Sequence, residues 1–139
     1  MRRFRGFLSA AFFAVIASVS IAKTQIPAPA VARITKLEFC EGYFAGVAFS
    51  LMMSANPDTS LTYYDLSNAA RSMIDEICSK LPQNACSEEG SFYETNLEGQ
   101  RNGRYVGQQA TVTKGSPAAQ FMGEWKTIDD SCKALISAQ

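Results

Sequence analysis

The positions of the four cysteines constrain the fold of this chain more than any other feature does. They stand at Cys40, Cys78, Cys86 and Cys132. In a small chain that leaves the cytosol, an even number of cysteines is typical of disulfides. A four-thiolate zinc site is the alternative, but such sites use closely spaced cysteine pairs, and even Cys78 and Cys86 are too far apart. The cysteines therefore predict two disulfides and no metal site.

The N-terminus has the composition of a secretory signal. A basic start is followed by an apolar run from Phe7 to Ala17 and then by small residues up to Ala22. This order is typical of a signal peptide, and the apolar run is shorter than the ~20 residues of a membrane-spanning helix. We predict a signal peptide over 1–22, cleavage before Lys23, and a periplasmic or secreted protein without a membrane anchor.

Removal of that signal leaves a mildly acidic chain without histidine. The full sequence has 13 basic residues, 13 acidic residues and no His, and the signal contains three of the arginines. A chain with this charge and no basic runs lacks the pattern of nucleic-acid-binding proteins. It also lacks the commonest general base and the commonest metal ligand. We therefore expect no nucleic-acid partner, no metal and no cofactor.

Apolar residues recur every three or four positions in several parts of the chain, and this period predicts helices. Residues 23–32 contain two prolines and lack the period, so they are predicted to form an extended lead-in. The stretch 110–115 is predicted to be an extended connection or one strand. The predicted helices run over about 33–53 and 60–81, from a capping box at Ser91 onward, and from Pro117 to about 135.

These segments predict an all-α fold, an antiparallel bundle of about four helices in a single domain over 33–139. With the helices alternating in direction, all four cysteines fall at one end of the bundle. Cys40 and Cys132 then lie at a similar height on core-facing stripes, while Cys78 and Cys86 flank one turn. This arrangement favours those two pairs, although spacing alone permits three connectivities.

Glycines at intervals of four residues are the most unusual local feature. They are Gly42 and Gly46 in the first helix and Gly99, Gly103 and Gly107 in the third. Each glycine inside a helix costs about 1 kcal/mol relative to alanine, and a close approach of two helices would offset that cost. We predict that these glycines pack helices together, within the chain or in a homodimer. The alternative is a turn at 102–103 that breaks the third helix.

Three tyrosines lie off the predicted core stripes, and they are Tyr43, Tyr63 and Tyr105. Tyrosine is common at interfaces because it buries area while keeping a polar tip, so these three are predicted to bind a protein partner. Adjacent acidic pairs such as 129–130 point in different directions on a helix. With no phosphate-binding loop or nucleophile motif either, we predict no catalytic residues and a protein that is not an enzyme. An exported enzyme of unfamiliar type is the remaining alternative.

The segment Cys40-Glu-Gly42-Tyr43-Phe-Ala-Gly46-Val47 resembles the C-x-G-Y-x-x-G-V signature of the Rap1a/Tai family. Members of that family are periplasmic, helical, disulfide-containing immunity proteins that neutralise peptidoglycan amidases delivered by type VI secretion. The resemblance implies a periplasmic binding protein that acts as an immunity protein or as an inhibitor of a cell-wall hydrolase.

A second segment, Gly123-Glu-Trp-Lys-Thr-Ile128, is similar to a segment near the end of acid-stress periplasmic chaperones of the HdeA type. Those proteins are also small and helical, with a cysteine near the start of an early helix. This resemblance implies a chaperone as the alternative function. Both resemblances imply a binding protein rather than a catalyst.

Overall fold

The computed structural model describes residues 26–53, 57–87, 89–112 and 124–138. Within these ranges the protein is built from four helices, α1 (Ala28–Met53), α2 (Pro57–Ser79), α3 (Gly90–Val112) and α4 (Glu124–Ser137). The all-α prediction is confirmed for this part of the chain. The predicted signal peptide over 1–22, its cleavage site and the predicted start of the last helix at Pro117 lie outside the described residues.

The first helix begins at Ala28, so the extended lead-in predicted over 23–32 is wrong from that residue onward. Proline is tolerated there because Pro29 lies in the first turn, where a backbone N–H would have no intrahelical acceptor. The backbone N–H of Val31 already donates to the carbonyl of Pro27 at 3.0 Å. The two prolines of this segment therefore stand where a helix starts.

The third helix runs without interruption from Gly90 to Val112. The alternative of a turn at 102–103 is therefore wrong. The extended segment predicted over 110–115 is also wrong in its first three residues, which are helical. The rest of that segment lies outside the described ranges. Ser91 is not the helix cap. It lies in the first turn, and its hydroxyl donates to Glu89 Oε1 at 2.8 Å.

Consecutive helices run in opposite directions around α1. Hydrogen bonds from Ser60 to the Ala48 carbonyl and from Ser67 to the Glu41 carbonyl, at 2.8 and 3.3 Å, show that α2 is antiparallel to α1. In α4, Ile128 packs against the core cluster around Phe44, while residues nearer its end also reach the cluster around Ile34. The helix α4 is therefore antiparallel to α1 as well.

The glycines bring α1 and α3 into backbone contact. A Cβ atom on Gly42 or Gly46 would collide with the carbonyl of Asn96 or Gln100 in α3. In the other direction, the three glycines of α3 face α1: Gly99 meets the Phe39 carbonyl, Gly103 the Tyr43 carbonyl, and Gly107 the Ser50 side chain. The contacting residue numbers rise together, so α1 and α3 are parallel. All five glycines pack helices within the chain, and we call this contact the glycine seam.

The two disulfides join the predicted cysteines. Cys40 of α1 is bonded to Cys132 of α4, with their Cα atoms 5.4 Å apart. Cys78 near the end of α2 is bonded to Cys86 in the following turn, with Cα atoms 6.0 Å apart. Both pairings favoured by the sequence are confirmed.

Candidate functional site

The structure places the three predicted interface tyrosines in different environments. Tyr43 is only 1 % exposed, so its prediction as a partner-binding residue is wrong. The reason is that α1 lies at the centre of the bundle, and a side chain off its main stripe still meets a neighbouring helix. Tyr63 is half-buried, and only Tyr105 of α3 keeps half of its surface exposed.

Tyr63 helps to hold α4 in place. Its hydroxyl donates to Asp129 Oδ1 at 3.0 Å, and Lys133 Nζ lies 2.6 Å from Asp129 Oδ2 and 5.0 Å from the centre of the Tyr63 ring. Burial, reinforced by the Asp129 charge, raises the pKa of both Tyr43 and Tyr63. Burial lowers the pKa of Lys133, but the hydrogen bond to Asp129 and the nearby groups outweigh it, so the net shift is upward. These groups are engaged with one another inside the bundle.

Acidic neighbours in α4 point apart, as the sequence predicted for such pairs. Asp129 faces Tyr63 and Lys133, whereas Asp130 pairs with Lys126 on the exposed face of the same helix.

A buried polar cluster joins the other three helices, and sequence reasoning missed it. Its members are Glu38 and Glu41 of α1, Asn96 of α3, and Arg71 of α2, whose side chain remains 42 % exposed. Arg71 donates to Glu38 Oε1 at 3.1 Å and to Glu41 Oε2 at 3.2 Å. Asn96 Nδ2 donates to Glu38 Oε2 at 3.0 Å and also to Glu41. The two carboxylates raise the pKa of Arg71 against the lowering effect of its partial burial.

The cluster brings two carboxylates together, but both are occupied by Arg71 and Asn96. Glu38 is only 7 % exposed, and its backbone carbonyl also accepts from Asn96 Nδ2 at 3.1 Å. The arrangement fixes three helices to each other and leaves neither acid free to transfer a proton to a substrate. The signal in the sequence was the spacing of Glu38 and Glu41, which puts two acids on one face of an apolar helix.

Large apolar side chains are exposed where α1 ends and α2 begins. They form a surface that we call the hairpin patch, and its members are Phe49, Met52, Met53, Leu61 and Tyr64, each between 48 % and 72 % exposed. Four of them surround a notch of about 380 Å³ whose floor is made of Ala45, Ala48 and Ser60. Residues 49, 52 and 53 share one face of α1, and 61 and 64 share one face of α2.

A second concave surface lies between α1 and α4. This α1–α4 groove has a volume of about 650 Å³. Its apolar wall is formed by Phe39, the Cys40–Cys132 disulfide, Ile128 and Leu135. Its polar edge is formed by Thr35, Lys36, Thr95, Thr127 and Ser131. The sequence did not predict it, because it depends on how far α4 stands from α3.

Within the described ranges, metal-binding clusters and membrane-spanning helices are both absent. There, no group of three or more His, Cys, Asp or Glu side chains is placed to hold a metal ion. None of the helices in that part of the chain has both the length and the apolar character to cross a membrane.

Comparison with protein-family models, with curated proteins and with solved structures finds no match to this chain. The hairpin patch, with its exposed apolar side chains, is the candidate binding surface.

Proposed function

We propose that this protein is an exported binding protein whose hairpin patch docks on a cell-wall hydrolase and inhibits or masks it. The observation that carries the proposal is the exposure of five large apolar side chains on one surface, four of which surround a notch. Contiguous exposed apolar surface is typical of interaction sites, and aromatic and methionine side chains are enriched at interfaces. Export is compatible with the two disulfides.

The hairpin patch is held on a rigid support. Ser60, on the floor of the notch, donates to the Ala48 carbonyl at 2.8 Å and ties α2 to α1. Arg104 of α3 lies 5.0 Å from the centre of the Phe49 ring and orients it. A surface that is ordered before binding loses less conformational entropy on binding.

Acidic residues border this surface. Asp58 and Asp65 are exposed, and they stand one turn before and one turn after Leu61 on the same face of α2. Within the described part of the chain, neither carboxylate takes part in a salt bridge. The complementary surface would therefore present an apolar side chain with basic residues beside it.

The choice of a cell-wall hydrolase as partner rests on the resemblance of the segment 40–47 to the Rap1a/Tai signature. In this fold the residues of that segment have packing roles. Cys40 forms a disulfide, Gly42 and Gly46 form the glycine seam, and Tyr43 and Val47 lie in the core. The resemblance thus rests on residues that pack this helix in the bundle. The partner is inferred from the resemblance and not from a contact made by these residues.

A charge placed in the hairpin patch is expected to abolish inhibition. Digestion of purified peptidoglycan by secreted amidases should slow when the protein is added, and Tyr64→Asp should weaken that inhibition tenfold or more, which is typical of an interface hot spot. Tyr93→Asp is the matched control, because Tyr93 is 69 % exposed on α3 outside the patch. The proposal is wrong if the wild-type protein slows none of the amidases and a deletion strain survives normally beside its neighbours.

The alternative function is an acid-stress chaperone of the HdeA type, and the buried polar cluster favours it. Such a chaperone has to loosen in acid and expose apolar surface, and here two carboxylates paired with Arg71 connect three helices. In acid, we therefore expect increased binding of an apolar dye and suppression of client aggregation. A domain that stays folded at about pH 2 and protects no client would exclude this function.

A further inference from the structure

The α1–α4 groove is long, has a mainly apolar wall and is distinct from the hairpin patch. Its α4 side runs from Thr127 to Leu135, a length of about 12 Å at the rise of an α-helix. Between these ends the wall consists of an aromatic ring, a disulfide and alkyl side chains. A volume of about 650 Å³ is within the usual range for small-molecule sites.

Four residues with a hydroxyl group form the edge of the groove, and two of these groups donate to their own helices. Thr35 Oγ1 donates to the Val31 carbonyl at 2.8 Å, and Thr95 Oγ1 donates to the Ser91 carbonyl at 2.8 Å. An extended peptide would need partners for its backbone N–H and C=O groups, and burying them without partners is costly. The wall of the groove therefore suits an acyl chain better than a peptide.

Of the described residues that line the groove, one is charged, and it lies at one end. Lys36 stands one turn before Cys40, and α1 and α4 are antiparallel and joined at Cys40–Cys132. Lys36 is therefore level with the last turn of α4, at the end of the groove marked by Leu135. Among the residues that the structure describes, it forms no salt bridge. An anionic headgroup beside an apolar chain would match this arrangement.

We propose that the α1–α4 groove binds a free medium-chain fatty acid. The carboxylate lies at Lys36 Nζ, and the acyl chain runs past Phe39 and the disulfide towards Ile128. The proposal does not depend on the partner of the hairpin patch, because in the described part of the chain the two surfaces share no lining residue.

Chain length gives the first test. The disulfide-bonded mature protein is titrated with hexanoate, octanoate, decanoate and dodecanoate, each below its micelle concentration, in competition with a fluorescent fatty acid. Burial of each added methylene should strengthen binding about fourfold until the chain fills the groove, after which the affinity should level off. An affinity that does not depend on chain length, or binding to phospholipid vesicles alone, would overturn the proposal.

Variants of the groove give the second test. Lys36→Glu should weaken decanoate binding tenfold or more and leave the binding of uncharged decanol nearly unchanged. Arg33→Glu is the control, because it changes the charge by the same amount one turn earlier on α1, at a residue that lines a separate cavity next to α2. Equal effects of Lys36→Glu on decanoate and decanol would exclude a carboxylate site at Lys36.

A third variant separates the groove from the hairpin patch, which is the other apolar surface. Ser131 is exposed at the edge of the groove, so Ser131→Trp should fill it and abolish the binding of decanoate and decanol without unfolding the protein. Tyr64→Asp, in the hairpin patch, should leave both affinities unchanged. The opposite result would place the fatty acid in the patch and overturn the assignment.

Discussion

Gly103→Leu is expected to cost about 3 kcal/mol or more of folding free energy, or to prevent folding. A Cβ atom at this position would collide with the Tyr43 carbonyl and lie 2.9 Å from the Val47 amide nitrogen. Both neighbours belong to the backbone of α1, which cannot move aside as a flexible side chain can. The loss should occur although leucine has a higher helix propensity than glycine. It is measured by urea unfolding followed by circular dichroism.

Gly90→Leu is the matched control. Gly90 is the first residue of α3, and a Cβ atom there would have no neighbour within 4 Å among the described residues. This substitution should change stability by less than about 1 kcal/mol. A neutral Gly103→Leu would contradict the backbone contact in the glycine seam.

Protein concentration separates the seam from a homodimer. If the glycines pack helices of one chain, the loss caused by Gly42→Leu or Gly103→Leu should be the same at two protein concentrations. If the contact lies between two copies, the stability of the wild-type protein should depend on protein concentration, and the substitutions should weaken that dependence.

The glycine seam and the disulfides were predictable because both leave a periodic or countable trace in the sequence. Glycines every fourth residue share a helix face, and the alternation of helices places Cys40 beside Cys132. The exact facing residues were not predictable. Gly42 meets Asn96 and Gln100 rather than a glycine of α3, because this offset depends on how the two helices slide along each other.

The buried polar cluster was not predictable in the same way. The spacing of Glu38 and Glu41 shows only that two acids share a face of α1, and acidic side chains are normally interpreted as exposed. Its partners lie far away in the chain, Arg71 at a separation of 33 residues and Asn96 at 58. Only the packed bundle shows that they meet. The same holds for Tyr43, because its burial depends on the three helices around α1 and not on the apolar stripe of α1 alone.

Removal of the Cys40–Cys132 disulfide is expected to destabilise the protein more than removal of Cys78–Cys86. The first closes a separation of 92 residues and the second a separation of 8. Loop-entropy estimates give about 4.6 kcal/mol for the long loop and about 2.5 kcal/mol for the short one. The double variants Cys40→Ala/Cys132→Ala and Cys78→Ala/Cys86→Ala are compared by urea unfolding, each serving as the control for the other.

The long-range disulfide should also have a local effect that the short one lacks. Apart from this bond, α4 is held by apolar contacts such as those of Ile128 and Leu135 and by the hydrogen bond from Tyr63 to Asp129. Without the bond, amide hydrogens of α4 should exchange faster than those of α1, and decanoate should no longer bind, because the disulfide forms part of the groove wall. Equal stability losses in the two double variants, or unchanged exchange in α4, would show that packing alone holds this helix.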